Sequence, residues 1–170
     1  MDFRSQLAAE LPPLRRFARA LTGDAALADD LVQDCVERAL NKGHLYDPSR
    51  PLRAWLYAVL RNLYISGLRR NGRSTIIKNV DDLMDGEDAV PPEQENRMAV
   101  TSVTDALDRL SPQHREVIVL VAIEDMSYRD VAEILGVPLG TVMSRLSRAR
   151  EQLRAVLEGR EVVSRLKVVK

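Results

Sequence analysis

Thr141, Met143, Ser144, Arg145, Ser147 and Arg148 crowd into one basic stretch, VPLGTVMSRLSRAREQLRAVL, at positions 137–157. Such side chains recognise rather than react. Arginine is the best reader of guanine O6 and N7, and serine can donate to or accept from a base edge. Set at 100° per residue, Val142, Leu146, Ala149 and Leu153 gather within about 40° of one another, a core-facing stripe. Ser144, Ser147, Arg148 and Glu151 then face away, with Met143, Arg145 and Arg154 on the flanks. Thr141 and the free amides of the first turn suit a phosphate, helped by the helix dipole.

A second group lies in LRAWLYAVLRNLYISGLRR. Opposite an apolar stripe of Leu52, Leu56, Val59 and Leu63 stand Tyr57, Arg61 and Tyr64, with Arg53 to one side and Arg69, Arg70 and Arg73 at the end. Aromatics interleaved with arginines suit single-stranded nucleic acid, since bases stack on rings while cations follow the backbone. A third group has the opposite sign: Asp30, Asp34 and Glu37 recur at i, i+4 and i+7 beside Gln33. That stripe repels phosphate, so its partner is either water or a basic protein surface.

Nothing comparable points to catalysis. His44 and His114 lie 70 positions apart without cysteine or carboxylate at metal-ligand spacing. No nucleophile motif or glycine-rich phosphate loop appears. The expectation is a non-enzyme with no cofactor and no metal. The single cysteine, Cys35, sits on an inward helical stripe and reads as core.

The elements that position these groups are helices. Leu11, Leu14, Phe17, Ala18 and Leu21 keep helical spacing up to Thr22-Gly23-Asp24, and Leu27, Leu31, Cys35 and Ala39 continue it up to Gly43. HLYDPSRP is a loop, and the Tyr57 helix follows. Ser111-Pro112 caps an apolar helix reaching Glu124. Ser127 caps the next, with Asp130 as an aspartate variant of the capping box. Tyr128, Val131, Ala132 and Leu135 face its core, Gly136 ends it, and Pro138 opens the basic helix two residues later. A turn this short forces a steep crossing, which is helix-turn-helix geometry.

Charge divides the chain. Residues 1–73 hold 12 Lys/Arg against 8 Asp/Glu, 74–100 hold 2 against 7, and 101–170 hold 11 against 10, with 8 against 3 from Val142 onward. The net charge of zero conceals two basic surfaces around an acidic, Pro-Pro-containing connector. Two helical units of about 70 residues joined by a flexible linker follow from this. No apolar run reaches membrane length, and the N-terminus lacks the apolar core of a signal peptide. A cytoplasmic protein is expected.

Taken together, LADDLVQDCVERAL, LRAWLYAVLRNLYISGLRR and LSPQHREVIVLVAIEDMSYRDVAEILGVPLGTVMSRLSRAREQLR resemble the extracytoplasmic-function (ECF, group 4) sigma factors of bacterial RNA polymerase. The resemblance spans about residues 7–73 and 101–157. It implies an all-α fold of two domains: sigma region 2 at 1–73, binding core polymerase and the −10 element, and sigma region 4 at 101–170, binding the −35 element. By that resemblance Asp30, Gln33, Asp34 and Glu37 dock on the β′ clamp helices, and region 4 meets the β flap. The 43–51 loop with Tyr46, together with Asn62, holds a base flipped from the melted −10 strand, beside Arg53, Tyr57, Arg61 and Tyr64. Thr141, Met143, Ser144, Arg145, Ser147 and Arg148 fall on the −35 reading helix. The 74–100 connector threads toward the polymerase channels, and an anti-sigma factor covers the two DNA-facing surfaces.

Three departures bear on promoter choice: Met143 where the family often carries a cation, Val36 where it has an aromatic, and VLVAIEDM before the turn. Two other readings remain open at this point. A sigma-like decoy that sequesters an anti-sigma factor need not keep Tyr57, Arg61 and Arg148. A simple helix-turn-helix regulator would have no use for the acidic stripe.

Overall fold

The computed structural model describes residues 2–71 and 103–159, and all regular structure in them is helical. The acidic connector, Arg73 and the tail after Gly159 lie outside the described residues.

Helix α1 (Phe3–Ala9) was not anticipated from the sequence; its seven residues bury only Leu7. Helix α2 (Leu11–Thr22) begins with Pro12 and Pro13, tolerated in a first turn whose amides have no intrahelical partner. It stops at Gly23, whose φ of 68° is left-handed. Asp24 then caps α3 (Ala25–Lys42) by accepting from the Leu27 amide at 2.9 Å. The inward stripe of α3 keeps the expected Cys35 and Ala39 but has Ala28 and Val32 where Leu27 and Leu31 were expected. Leu27 is 55% exposed, because the Asp24 cap fixes the first turn and sends the small Ala28 inward instead.

A short 3-10 turn (Gly43–Leu45) leads through the expected proline loop to α4 (Leu52–Arg70). This helix buries two sides: Leu52, Leu56 and Leu60 face the first half, while Tyr57 and Arg61 are buried as well. The second half opens with α5 (Val103–Asp108) and α6 (Pro112–Ile118), where Ser111 accepts from the His114 amide as predicted. Helix α6 runs on into a π-helical turn, Val119–Ile123, closed by Glu124 donating its amide to Val119 O at 3.0 Å. Asp125 follows with φ 52°.

Ser127 caps α7 (Tyr128–Leu135), accepting from the Asp130 amide at 3.1 Å and donating its hydroxyl to the Asp130 carboxylate at 2.7 Å. Gly136, left-handed at φ 66°, turns the chain into α8 (Leu139–Leu157), and Val137 donates to Ala132 O at 3.1 Å to close the helix end. The helix-turn-helix therefore stands where the sequence put it. Val142, Leu146 and Ala149 are buried, and Leu153 packs on the same cluster.

The apolar cluster runs without a break from Leu14, Phe17, Leu56 and Leu60 of the first half to Val117, Leu120, Val131 and Val142 of the second. The two units pack on one another, α4 against α7 and α2 against α6. Phe17 and Tyr57 meet at that boundary with ring centroids 4.9 Å apart. Such tilted aromatic pairs add about 0.5–1.5 kcal/mol beyond the area they bury.

Candidate nucleic-acid and polymerase interfaces

On α8, Ser144, Ser147 and Arg148 are exposed, Met143 is exposed and apolar, and Thr141 is half-buried. Ser144 donates its hydroxyl to Thr141 O at 3.1 Å, which leaves the oxygen free to accept from a base amine. An open groove of about 620 Å³ runs alongside, lined by Tyr128, Met143, Ser147, Arg150, Glu151 and Arg154 among others. Arg145 departs from the expected surface. It is buried, and its positive charge bears on Glu116 in the interior. The α8 helix packs closely on α6, which carries Glu116.

On α3, Asp30, Gln33, Asp34 and Glu37 are all exposed along one face, and none has a partner among the described residues. Nearby Asp29 pairs loosely with Arg15 at 3.7 Å. Four adjacent polar groups, three of them anionic, are thus available to a basic surface.

The −10 candidates are divided by the fold. Asn62 is exposed and helps line a cavity of about 250 Å³ with Arg38, Lys42, Leu45, Trp55, Val59 and Ser66. That cavity joins a flat aromatic ring, an amide and two cations, the groups that stack, hydrogen-bond and neutralise a nucleotide. Trp55, Val59, Asn62 and Ser66 recur at i, i+4, i+7 and i+11, and of these only Asn62 was expected among the −10 residues. Tyr46 stands behind the cavity: it packs on Trp55 at 5.5 Å and Phe3 at 6.1 Å, and donates its hydroxyl to Arg50 O at 2.7 Å. It is half-buried there and does not line the cavity itself. Arg53 is held by Glu10 at 2.6 Å, which also raises the pKa of its guanidinium. Tyr64 is half-buried.

Tyr57 and Arg61 are enclosed. The Tyr57 hydroxyl donates to Glu124 at 2.8 Å, and Arg16 donates to both oxygens of the same carboxylate at 2.7 and 3.0 Å. Arg61 donates to Glu116 at 2.6 Å, with both side chains under a tenth exposed. Burial, and then Glu124, push the Tyr57 phenol far above its ordinary pKa. Burial also pushes the Glu116 carboxyl up, and Arg61 and Arg145 pull it back only in part. In this arrangement the expected strand-facing side of α4 meets the second half of the same chain, not solvent. Glu116, Glu124 and Arg16 were missed because, read by periodicity, each is an ordinary charged helix residue.

Comparisons with known proteins agree with these features. Residues 7–61 match the family model described as the Sigma2 domain of PhyR, and residues 101–153 match Sigma-70, region 4. The ECF RNA polymerase sigma factor EcfG of Rhodopseudomonas palustris strain TIE-1 is 38% identical over 156 residues, spanning 92% of this chain and 85% of its own length. SigL of Mycobacterium tuberculosis strain Erdman, of the same description, is 37% identical over 146 residues, 85% of this chain and 82% of SigL. Among solved structures, the sigma factor RpoE in complex with the anti-sigma factor NepR, from Bartonella quintana, superposes with a TM-score of 0.73 at 36% identity, covering 92% of this chain and 97% of that one. The all-helical fold, the helix-turn-helix and these relatives together identify the chain as a member of the ECF RNA polymerase sigma factors.

Proposed function

We propose that this sigma factor divides its work between its two units. Residues 1–73 bind core polymerase through Asp30, Gln33, Asp34 and Glu37 and hold the melted −10 strand on α4, while residues 101–170 read the −35 duplex with α8. The observation that carries this is the pairing of two exposed faces of opposite sign, the α3 acidic stripe and the Ser144–Ser147–Arg148 face. The first suits the β′ clamp helices and the second a major groove, where the leading turns of a recognition helix meet base edges.

At −35 the reading residues are Ser144, Ser147 and Arg148, with Thr141 at the phosphate and Met143 giving an apolar contact; Arg145, buried beside Glu116, is given no base contact. At −10 the Trp55–Asn62 cavity takes the flipped base, with Lys42 and Arg38 toward the backbone. The β flap completes the polymerase contacts of the second unit, and residues 74–100 thread the connecting channel. The relative from Bartonella quintana is solved with an anti-sigma factor, and an anti-sigma factor is proposed as a partner here. No helix among the described residues is long and apolar enough to cross a membrane, in keeping with action in the cytoplasm.

Run-off transcription tests the whole reading, using purified core bacterial RNA polymerase and a fragmented genomic library. Discrete new starts that share two upstream elements are expected. Absence of both new starts and polymerase binding would shift the assignment to the decoy.

A further inference from the structure

The core does not account for helix α1. Its seven residues are too few to hold a helix in water by themselves, and only Leu7 among them is buried. Asp2 gives the first turn no side-chain cap. What the helix does carry is Phe3, half-buried at its first position and set against the turn and loop that follow α3.

Phe3 stands at the end of a row of aromatic rings that leads to the −10 cavity. Its centroid lies 6.1 Å from that of Tyr46, and Tyr46 lies 5.5 Å from Trp55, which lines the cavity with Leu45 and Asn62. Both separations are within the range at which aromatic pairs attract. Phe3 also lies close against the 3-10 turn. A Cβ on Gly43 would come within 3.3 Å of its Cε1, so glycine is what lets the turn approach the ring. The corner after α1 is fastened nearby: Glu10, between α1 and α2, accepts from Arg53 at 2.6 Å, two residues before Trp55 in the first turn of α4. The loop in between is closed on itself. The Tyr46 amide donates to Gly43 O at 3.1 Å, the Tyr46 hydroxyl to Arg50 O at 2.7 Å, and the Ser49 amide to the Asp47 carboxylate at 2.9 Å. Phe3 thus bears on the loop and Glu10 on the start of α4, the two pieces that must keep register for Leu45 and Trp55 to share one wall.

We propose that α1 positions the −10 site, with Phe3 as the positioning residue: through Gly43 and Tyr46 it sets where the 43–51 loop and Trp55 stand to receive the flipped base. The proposal rests on the reading of the Trp55–Asn62 cavity as the base site. Phe3 does not line that cavity, so it acts only through its neighbours. A recognition group works when its supports hold it to within about 0.5 Å of the productive geometry, and a ring that stacks on a base is such a group. This gives a reason for a helix with so little core of its own.

Trp55 is the single tryptophan, so emission from the free chain reports on it directly. Phe3→Ala is expected to shift that emission to longer wavelength and to raise its quenching by acrylamide, while Phe3→Tyr, which keeps the ring, leaves both as they are. Binding is read in holoenzyme assembled with core polymerase, on a promoter recovered by run-off transcription, with each −10 base of the non-template strand replaced in turn by an abasic sugar. For the native chain, one abasic position is expected to shorten the open-complex lifetime roughly tenfold, the scale of one lost stack. In Phe3→Ala that ratio is expected to fall to about threefold or less, with polymerase binding unchanged and the ratio restored in Phe3→Tyr. Phe3→Leu, whose apolar bulk secures the fold, is expected to fall between. Unchanged Trp55 emission in Phe3→Ala overturns the positioning role. So does a lifetime shortened equally on intact and abasic strands, which is what a merely structural residue would give. If no abasic position matters to the native chain, or Trp55→Ala keeps the full ratio, the base is held elsewhere; the cavity reading is then overturned, and the positioning role with it.

Discussion

Arg148 and Cys35 show how differently two helical residues can be used. Arg148 is exposed on α8 beside Ser144 and Ser147, and nothing in the fold needs it. Arg148→Ala should therefore leave thermal stability unchanged. It should weaken discrimination at one −35 base pair by about 1–3 kcal/mol. Binding measured over a set of single-base promoter variants checks this, and a uniform loss on every sequence would mean a phosphate contact instead. Cys35 is the reverse case: fully buried, its thiol directed at Leu56 O 3.6 Å away and its pKa pushed up to about 12 by burial. A thiol whose folded pKa lies above its unfolded value keeps its proton longer when folded. Its contribution is intact below about pH 9 and is progressively lost as pH rises from there toward 12. Cys35→Ala or Cys35→Val should flatten that alkaline decline in denaturant titrations. The same burial predicts that a maleimide leaves the native thiol untouched at neutral pH and labels it only in denaturant.

At the scale of elements, most of the architecture was legible because helix ends carry chemistry that acts locally. Ser111 and Ser127 cap where their sequence context says they must, and Gly23 and Gly136 adopt the left-handed conformation a helix stop needs. The π turn was not legible, since VLVAI fits an α-helix equally well and only tertiary contacts choose between them. Nor was α1, too short and too weakly buried to leave a period. The acidic stripe of α3 is exposed, and that exposure gives a clean test of its docking role. Asp30→Arg with Asp34→Arg leaves the buried Ala28–Val32–Cys35–Ala39 stripe untouched, so the helix content seen by circular dichroism should not change. Polymerase binding, measured by co-migration with the core enzyme, should be abolished by reversing two charges at a basic docking surface. Retained binding would return the stripe to a purely solvated role.

At the scale of the molecule, the sequence showed two units but not how they meet. Arg61 and Tyr57 look available on a helical wheel, and Glu116 and Glu124 look like the charged face of an apolar helix; only their burial against each other reveals a shared interior. That interior predicts an unusual response to mutation. Removing one partner of a buried ion pair typically costs about 3–5 kcal/mol, because the other charge is left without compensation. In Arg61→Met the stranded group is Glu116, which faces Arg145 of α8 as well as α4. A core carboxylate in an undivided domain could reach water only by global unfolding. Here separation of the halves is enough, so the penalty is capped at the free energy that holds them together. Calorimetry of the full chain should show one cooperative transition for the native sequence. Arg61→Met should split it into two, each half then melting on its own core. Adding Glu116→Gln removes the orphaned charge and should bring the transitions back toward one another. A single transition shifted to lower temperature in Arg61→Met would show instead that neither half stands without the other, and that the buried pair belongs to one indivisible core.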